Sequence, residues 1–478
     1  MNFVHWLLAS GSVALLAAAP TLRPDARRNL VERSLAPAVV LAGEPAHTET
    51  LAAEMQRLAV PGVSIAVIDH GMLAWAEGYG ATGKDGAPVT PSTRFQAGSI
   101  SKAITALGVL RAAAAGTVSL DRPVNDYLAS WKLPDSEKGR AGEVTLRRLL
   151  SHTAGLNVQF FPGYEIEDAQ PAVVDILDGR PPANTAAIRI TAAPGSEWRY
   201  SGGGYLVAQQ VMAEVSRERF AQWAKRTILD PAAMTDSSFD PPSGGRYALG
   251  HLSGGRPVPG GYHLYPEGAA AGLWTTPSDL AHALLALSTS ISGKPHAILP
   301  QFFARIVLDP VFPGESVGFD TGGSGASQWI AKGGDTHGFA AYMVLYPWQA
   351  QGAVVMTNSA AGSTLARDLM RGIAQAYHWP DFGPRTRQAV PFDQGLLARL
   401  PGTYRYQGNN TFIIARAGDG LTIAGPGEAP EQLYIEQSGK LFTLSQDLDY
   451  VFEANGDGEI RIGHAVISFT KGDHSTAH

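Results

Sequence analysis

Ser99 and Lys102 carry the plainest chemistry in this chain, set in Ser99-Ile100-Ser101-Lys102 at the head of a helix-like run, residues 103–115. Residues three apart on a helix lie one turn from each other, so both side chains share a face. A serine hydroxyl is a weak nucleophile at neutral pH and needs a base, and a lysine amine walled by Ile100, Ile104 and Leu107 has its pKa lowered by desolvation. The spacing therefore supplies nucleophile and base together. A second Ser-x-x-Lys, residues 468–471, follows Ala465-Val466-Ile467 in a strand-like stretch, where side chains three apart point to opposite faces. The first motif also reads as a plain helix start, with Ser99 or Ser101 capping and Lys102 solvated, so residues downstream must decide.

Those residues sit among elements that the patterning outlines. Helical spacing over 48–58 breaks at Pro61-Gly62, and 63–68 with 72–77 read as paired strands around Asp69-His70-Gly71. The helix behind Lys102 stops at Gly116, and a helix over 145–150 leads into Ser151-His152-Thr153-Ala154-Gly155-Leu156. The stretch 157–194 is irregular, rich in Pro and Asp, and reads as a lid-like insertion. Helices over 205–215 and 277–287, strands over 338–345 and 352–357, and a helix over 365–377 follow, so helices bracket strands from both chain ends. Past a polar, proline-containing boundary, short alternating segments at 411–414, 421–423, 432–435 and 449–452 are separated by Asp419-Gly420, Ser438-Gly439 and Asn455-Gly456 turns. They predict a small all-β domain with no catalytic constellation of its own.

The layout read from this is a signal peptide over 1–22, a linker over 23–44, a hydrolase domain over 45–380, a second linker over 381–394 and the β domain over 395–478. The signal-peptide reading rests on the apolar run 6–19 ending Ala17-Ala18-Ala19-Pro20; it implies export to the periplasm or the medium, with no stable membrane insertion once removed. A membrane anchor is the second reading. With 478 residues, 45% of them hydrophobic and 17% charged, the chain can bury a large core. A net charge of −6 and the lack of a Lys/Arg-rich run give no footprint for nucleic acid, so small-molecule or peptide chemistry is favoured. The absence of cysteine excludes disulfides, zinc–thiolate sites and a cysteine nucleophile. No metal-ligand spacing such as H-E-x-x-H occurs, and no metal or cofactor is expected.

Taken in order, Pro61-Gly62 with its paired strands, Ser99-Ile100-Ser101-Lys102, Leu150-Ser151-His152-Thr153-Ala154-Gly155-Leu156, Tyr200-Ser201-Gly202 and Lys332-Gly333-Gly334 make the chain resemble the serine β-lactamase and penicillin-binding protein superfamily. The resemblance covers about residues 45–380 and is closest to the class C-like serine hydrolases. It implies an α/β (α+β) β-lactamase/transpeptidase-like catalytic domain, with an antiparallel sheet covered by helices and a helical lobe, and it likens the C-terminal segment to barrel-like appendages of such hydrolases. Carried over, it makes Ser99 the nucleophile, Lys102 its base or orienting partner and Tyr200 a second acid/base whose phenolate nearby ammonium groups stabilise. Lys332 and Gly334 would line the substrate cleft on a strand edge, Lys332 meeting a substrate carboxylate. The backbone N–H groups of Ser99 and Asp335 would form the oxyanion hole.

One position departs from the pattern. The tyrosine motif usually ends in asparagine, which bonds a substrate amide and steadies the lysine; here Gly202 stands in that place and can do neither. The expectation is weak β-lactam hydrolysis and a roomier pocket for a small ester or short peptide, cleaved in the manner of an esterase or D-aminopeptidase-like peptidase through a Ser99 acyl-enzyme. The alternative is a penicillin-binding or peptide-sensing protein acylated without turnover. Gly314-Glu315-Ser316-Val317-Gly318 matches the G-x-S-x-G elbow but lacks the strand before and the helix after that such an elbow needs, so Ser316 reads as structural. His152 reads as a packed histidine, and His337 as either a substrate contact or a loop residue.

Overall fold

The computed structural model describes residues 23–472 apart from 47, 84–85, 407–409, 427–429 and 463–464; the segment read as a signal peptide lies outside the described residues. Its helices include α1 (Pro24–Arg33), α2 (Leu51–Arg57), α3 (Ile100–Ala114), α4 (Leu146–Leu150), α5 (Gly202–Ser216), α6 (Pro277–Ile291) and α7 (Gly362–Tyr377). Among the described residues, the strands β1 (Gly62–Asp69), β2 (Met72–Gly80), β3 (Asp320–Gly322), β4 (Trp329–Thr336), β5 (Phe339–Tyr346) and β6 (Gln351–Thr357) form an antiparallel sheet in the order β2-β1-β6-β5-β4-β3. The hairpin from the front of the domain thus docks on strands from its end.

Alternation along these strands places the sheet between two cores. Ala66 and Ile68 of β1, Met343 and Leu345 of β5 and Val354 and Met356 of β6 face the core shared with α3, α5 and α6. Their neighbours Ile65, Val67, Val344, Tyr346, Ala353 and Val355 face the opposite core, closed by α7 through Leu365, Leu369 and Ile373. Burial on both faces explains why these strands read as continuous apolar runs. None of the helices among the described residues is long and apolar enough to cross a membrane.

Beyond α7 the chain forms a closed antiparallel barrel of strands Gly402–Tyr406, Asn410–Ala417, Gly420–Ala424, Glu431–Ile435, Leu441–Phe442, Asp449–Phe452, Gly458–Ile462 and Ala465–Lys471, each paired with its neighbours in sequence. Phe412 and Ile414 point inward while Ile413 between them is exposed, the alternation a small side-chain-filled barrel requires. Ser468 and Lys471 lie on its last strand.

The two stretches read as linkers carry regular structure. Residues 23–44 contain α1, begun by Pro24 at its first turn, where the missing N–H costs nothing. Val31 and Leu35 pack into the core beneath α7. Because Val31 is the helix's one buried residue, no apolar stripe was there to find. Val39–Leu41 then pairs in parallel with Arg385–Arg387, inside the second stretch read as a linker. The Arg387 guanidinium is buried, 2.7 Å from Glu436 and 2.8 Å from Asp449, and lies over the Phe442 ring. A buried cation persists only when it is paired, so this cluster fastens the barrel to the strand that leads into it.

Candidate active site

Ser99 sits at the entrance of α3 with helical φ and ψ and makes no capping hydrogen bond with its side chain, which sets aside the plain helix-start reading. The Tyr200 hydroxyl donates to Ser99 Oγ at 2.7 Å, and Lys102 Nζ donates to the same oxygen at 3.0 Å. Lys102 is 3% exposed, and its ammonium also donates to the Ala270 carbonyl at 2.8 Å. Ser101 is occupied elsewhere, accepting from the Leu273 N–H at 3.0 Å. Lys102, Tyr200 and Ser99 are thus brought together as the motif order implied.

Alternation along β4 decides which face Lys332 and Gly334 take. Ile330 belongs to the core under α3 and Ala331 to the opposite one, so Lys332 and Gly334 share the face toward the serine. A Cβ on Gly334 would lie 2.1 Å from Ala97 O and 2.8 Å from Ser99 N; one on Gly98, at φ +52°, would lie 2.6 Å from Asp335 N. Only glycine permits this approach, and it sets the peptide N–H groups of Ser99 and Asp335 beside one another. The neighbouring β3 pairs with β4 through Trp329, Ile330 and Ala331, so among the described residues the edge at 332–336 is unpaired on that side.

His152 holds the tyrosine in place. Its Nδ1 accepts from the Ser201 N–H at 3.1 Å, its carbonyl accepts from the Arg199 N–H at 2.8 Å, and its ring lies 4.3 Å from that of Tyr200, centroid to centroid. Burial, then the charges of Lys332 and Lys102, push its pKa well below the ordinary value, so it is a neutral packing and hydrogen-bonding group. Ser201 caps α5 through the Gly204 N–H and donates to the Asn157 carbonyl, tying the insertion to the tyrosine segment.

Gly202 leaves no extra room. A Cβ there would lie 2.9 Å from Gln159 O and 3.0 Å from the Phe161 ring, so the start of the insertion already fills the space of the missing asparagine. The expectation of a roomier pocket at this point is corrected accordingly. Phe160, 69% exposed, stands with its ring 5.5 Å from that of Tyr200. Across the site His337 stacks on His263 at 4.1 Å, and burial followed by the His263 charge lowers its pKa.

Sequence reasoning missed the partner of Lys332. Its ammonium lies 2.7 Å from Asp320 Oδ1, so it is not the free cation expected. The register pairs Asp320 with Ala331, one residue from Lys332, a proximity that only the strand pairing reveals. Missed too were Phe160, Phe161 and the Ala270 carbonyl, none of which carries a motif. Ser316 is buried, its hydroxyl 2.7 Å from the Val307 carbonyl, as its structural reading requires.

The electrostatics fit proton transfer at Ser99. Burial lowers the Lys102 pKa, assisted by Lys332 and opposed by Tyr200. Burial alone would raise the Tyr200 phenol, but Lys102, Lys332 and the hydrogen bonds to Ser99 and Lys102 outweigh it and bring the pKa below the ordinary value. The ammonium groups of Lys102 and Lys332 lie 5.1 and 5.7 Å from the Tyr200 ring centroid. Each group thus lowers the cost of moving a proton near Ser99, with Lys102 and Tyr200 acting on one another.

Comparison with known proteins bears on the fold and the family of the chain. The chain is 24% identical over 328 residues to Protein flp of Staphylococcus aureus (strain COL), covering 64% of this chain and 61% of that protein, so it spans less than two thirds of that curated relative's length. In structure it resembles the octameric penicillin-binding protein homologue from Pyrococcus abyssi, with a TM-score of 0.58 at 21% identity over 88% of this chain and 98% of that one. It also resembles the D-alanine carboxypeptidase AmpC from Burkholderia cenocepacia, with a TM-score of 0.54 at 22% identity over 72% and 98%. These two likenesses are of fold. The Beta-lactamase family model matches residues 48–378, most of the chain, and the chain belongs to the beta-lactamase family.

Proposed function

We propose that this protein is an exported serine hydrolase that cleaves a small ester or short peptide through an acyl-enzyme on Ser99. The observation that carries the reading is Ser99 Oγ held 3.0 Å from Lys102 Nζ and 2.7 Å from the Tyr200 hydroxyl. Ser99 attacks the carbonyl and its proton passes to the Lys102–Tyr200 pair. The N–H groups of Ser99 and Asp335 receive the developing oxyanion. Tyr200 returns the proton to the leaving group, and water, activated by the same pair, releases the acid.

Among the described residues the edge at 332–336 is unpaired on the β3 side, which suits an extended segment laid along β4. The D-alanine carboxypeptidase among the similar structures supports including peptides. Gly202, in the asparagine position with Phe161 against it, has no side chain to bond a β-lactam side-chain amide, and β-lactam turnover should be slow.

The test is a panel of short-chain p-nitrophenyl esters, D-amino-acid peptides and a chromogenic cephalosporin, followed through the first turnover into steady state. Sustained release from an ester or peptide, lost in Ser99→Ala, supports the hydrolase. A stoichiometric burst that stops would instead identify a penicillin-binding or peptide-sensing protein.

A further inference from the structure

The turn Gly314-Glu315-Ser316-Val317-Gly318 carries no nucleophile, yet it is built into the back of the site. Gly318 takes φ +83°, where a Cβ would lie 2.5 Å from Ala106 Cβ on α3, and its N–H donates to the Leu150 carbonyl at 3.1 Å. Ser316 is tied to Val307 and Phe319, and Gly314 O accepts from the Thr321 N–H at 2.8 Å. Glu315 and Asp320 meet as a β-bridge. The turn thus brings two carboxyl groups to Lys332, whose side chain is 6% exposed while that of Asp320 is 35% exposed. Burial, then the neighbouring Asp320 charge, raises the Glu315 pKa to about 7 against the pull of Lys332. Asp320 is the carboxylate that pairs with the ammonium, and Glu315 stands behind it as a largely protonated second group below neutrality.

We propose that Asp320 is a specificity-determining residue: by neutralising Lys332 it makes the cleft select acyl groups that are uncharged where they face that lysine, over acyl groups bearing a carboxylate there. The inference rests on the hydrolase reading above. A free ammonium would draw a substrate carboxylate into a charge-assisted hydrogen bond. Paired at 2.7 Å, it offers a dipole, and an incoming carboxylate meets the like charge of Asp320. A bolted turn holds the pairing geometry, so the discrimination belongs to the fold rather than to a mobile side chain.

The experiment compares two esters of equal acyl length, 4-nitrophenyl pentanoate and mono-4-nitrophenyl glutarate, on the wild type, Asp320→Asn and Asp320→Glu, with fluorophosphonate labelling of Ser99 as the check on the catalytic centre. The wild type should prefer pentanoate. In Asp320→Asn the glutarate/pentanoate ratio of kcat/KM should rise about 10–100-fold, the contribution of one hydrogen bond to a charged group, while Asp320→Glu keeps the wild-type ratio. Loss of a merely structural contact, or a changed Tyr200 acidity, slows both esters alike and leaves the ratio unmoved, which overturns the proposal. A wild type that prefers glutarate overturns it without any variant, so the inference stays refutable even if Asp320→Asn fails to fold. If the wild type neither turns over an ester nor labels on Ser99, the hydrolase reading falls, and this inference with it.

Discussion

Replacing Glu267 with glutamine should stabilise the fold by an amount that grows as pH rises from about 4.5 to neutrality. Glu267 is fully buried at the head of the short helix Gly268–Ala271, whose Ala270 carbonyl receives Lys102. Among the described residues neither carboxyl oxygen has a hydrogen-bond partner; the influence of its own backbone N–H is outweighed by burial, which raises its pKa from the ordinary 4.5 to about 7. A carboxyl whose pKa is higher in the folded state favours folding while protonated. Its contribution is therefore fully present below about 4.5 and lost as pH rises through about 7. Once ionised, the group costs on the order of 3 kcal/mol, a penalty that glutamine, equal in shape and uncharged, does not incur. Thermal unfolding of both proteins at pH 5 and pH 8 reads this directly. At pH 5, just above the unfolded pKa, the two should differ by under about 1 kcal/mol, and Glu267→Gln should melt a few degrees higher at pH 8. Glu315 and Asp368, also raised to about 7, titrate in both proteins and drop out of the difference. A gap between the two that does not change with pH would refute the reasoning.

Lys102→Ala and Tyr200→Phe should each slow the chemical step about 10²–10⁴-fold while the fold is kept, as single-turnover kinetics alongside circular dichroism would show; near-native rates in both would remove the proton relay. Gly202→Asn should destabilise the protein by about 1–3 kcal/mol in denaturant unfolding, because its side chain must displace Gln159 and Phe161. Adding Phe161→Ala should recover part of that loss, and an unchanged stability in Gly202→Asn would show that the space is open after all.

Much of this site is legible in the chain because its chemistry is local. Ser99 and Lys102 are one helical turn apart, whereas the contact between the backbones at Gly98 and Gly334 needed the fold. What escaped reading depends on contacts between distant segments. Asp320 reaches Lys332 only through the β3–β4 pairing, and Phe161 fills the Gly202 space only because the insertion folds back on α5. The helix α1 was hidden because one residue of it is buried, too few to print a period. The all-β character of the C-terminal domain was legible because inward and outward residues alternate between Asp-Gly and Asn-Gly turns, whereas its attachment through Arg387, Glu436 and Asp449 joins residues scattered along the chain.

The most direct test of the central claim is the site of covalent modification. The wild type, Ser99→Ala and Ser316→Ala are treated with a fluorophosphonate, weighed intact and mapped by peptide mass spectrometry. One adduct per chain on Ser99 is expected in the wild type and in Ser316→Ala, with none in Ser99→Ala. An adduct on Ser316, or labelling that survives in Ser99→Ala, would contradict the assignment of Ser99 as the nucleophile.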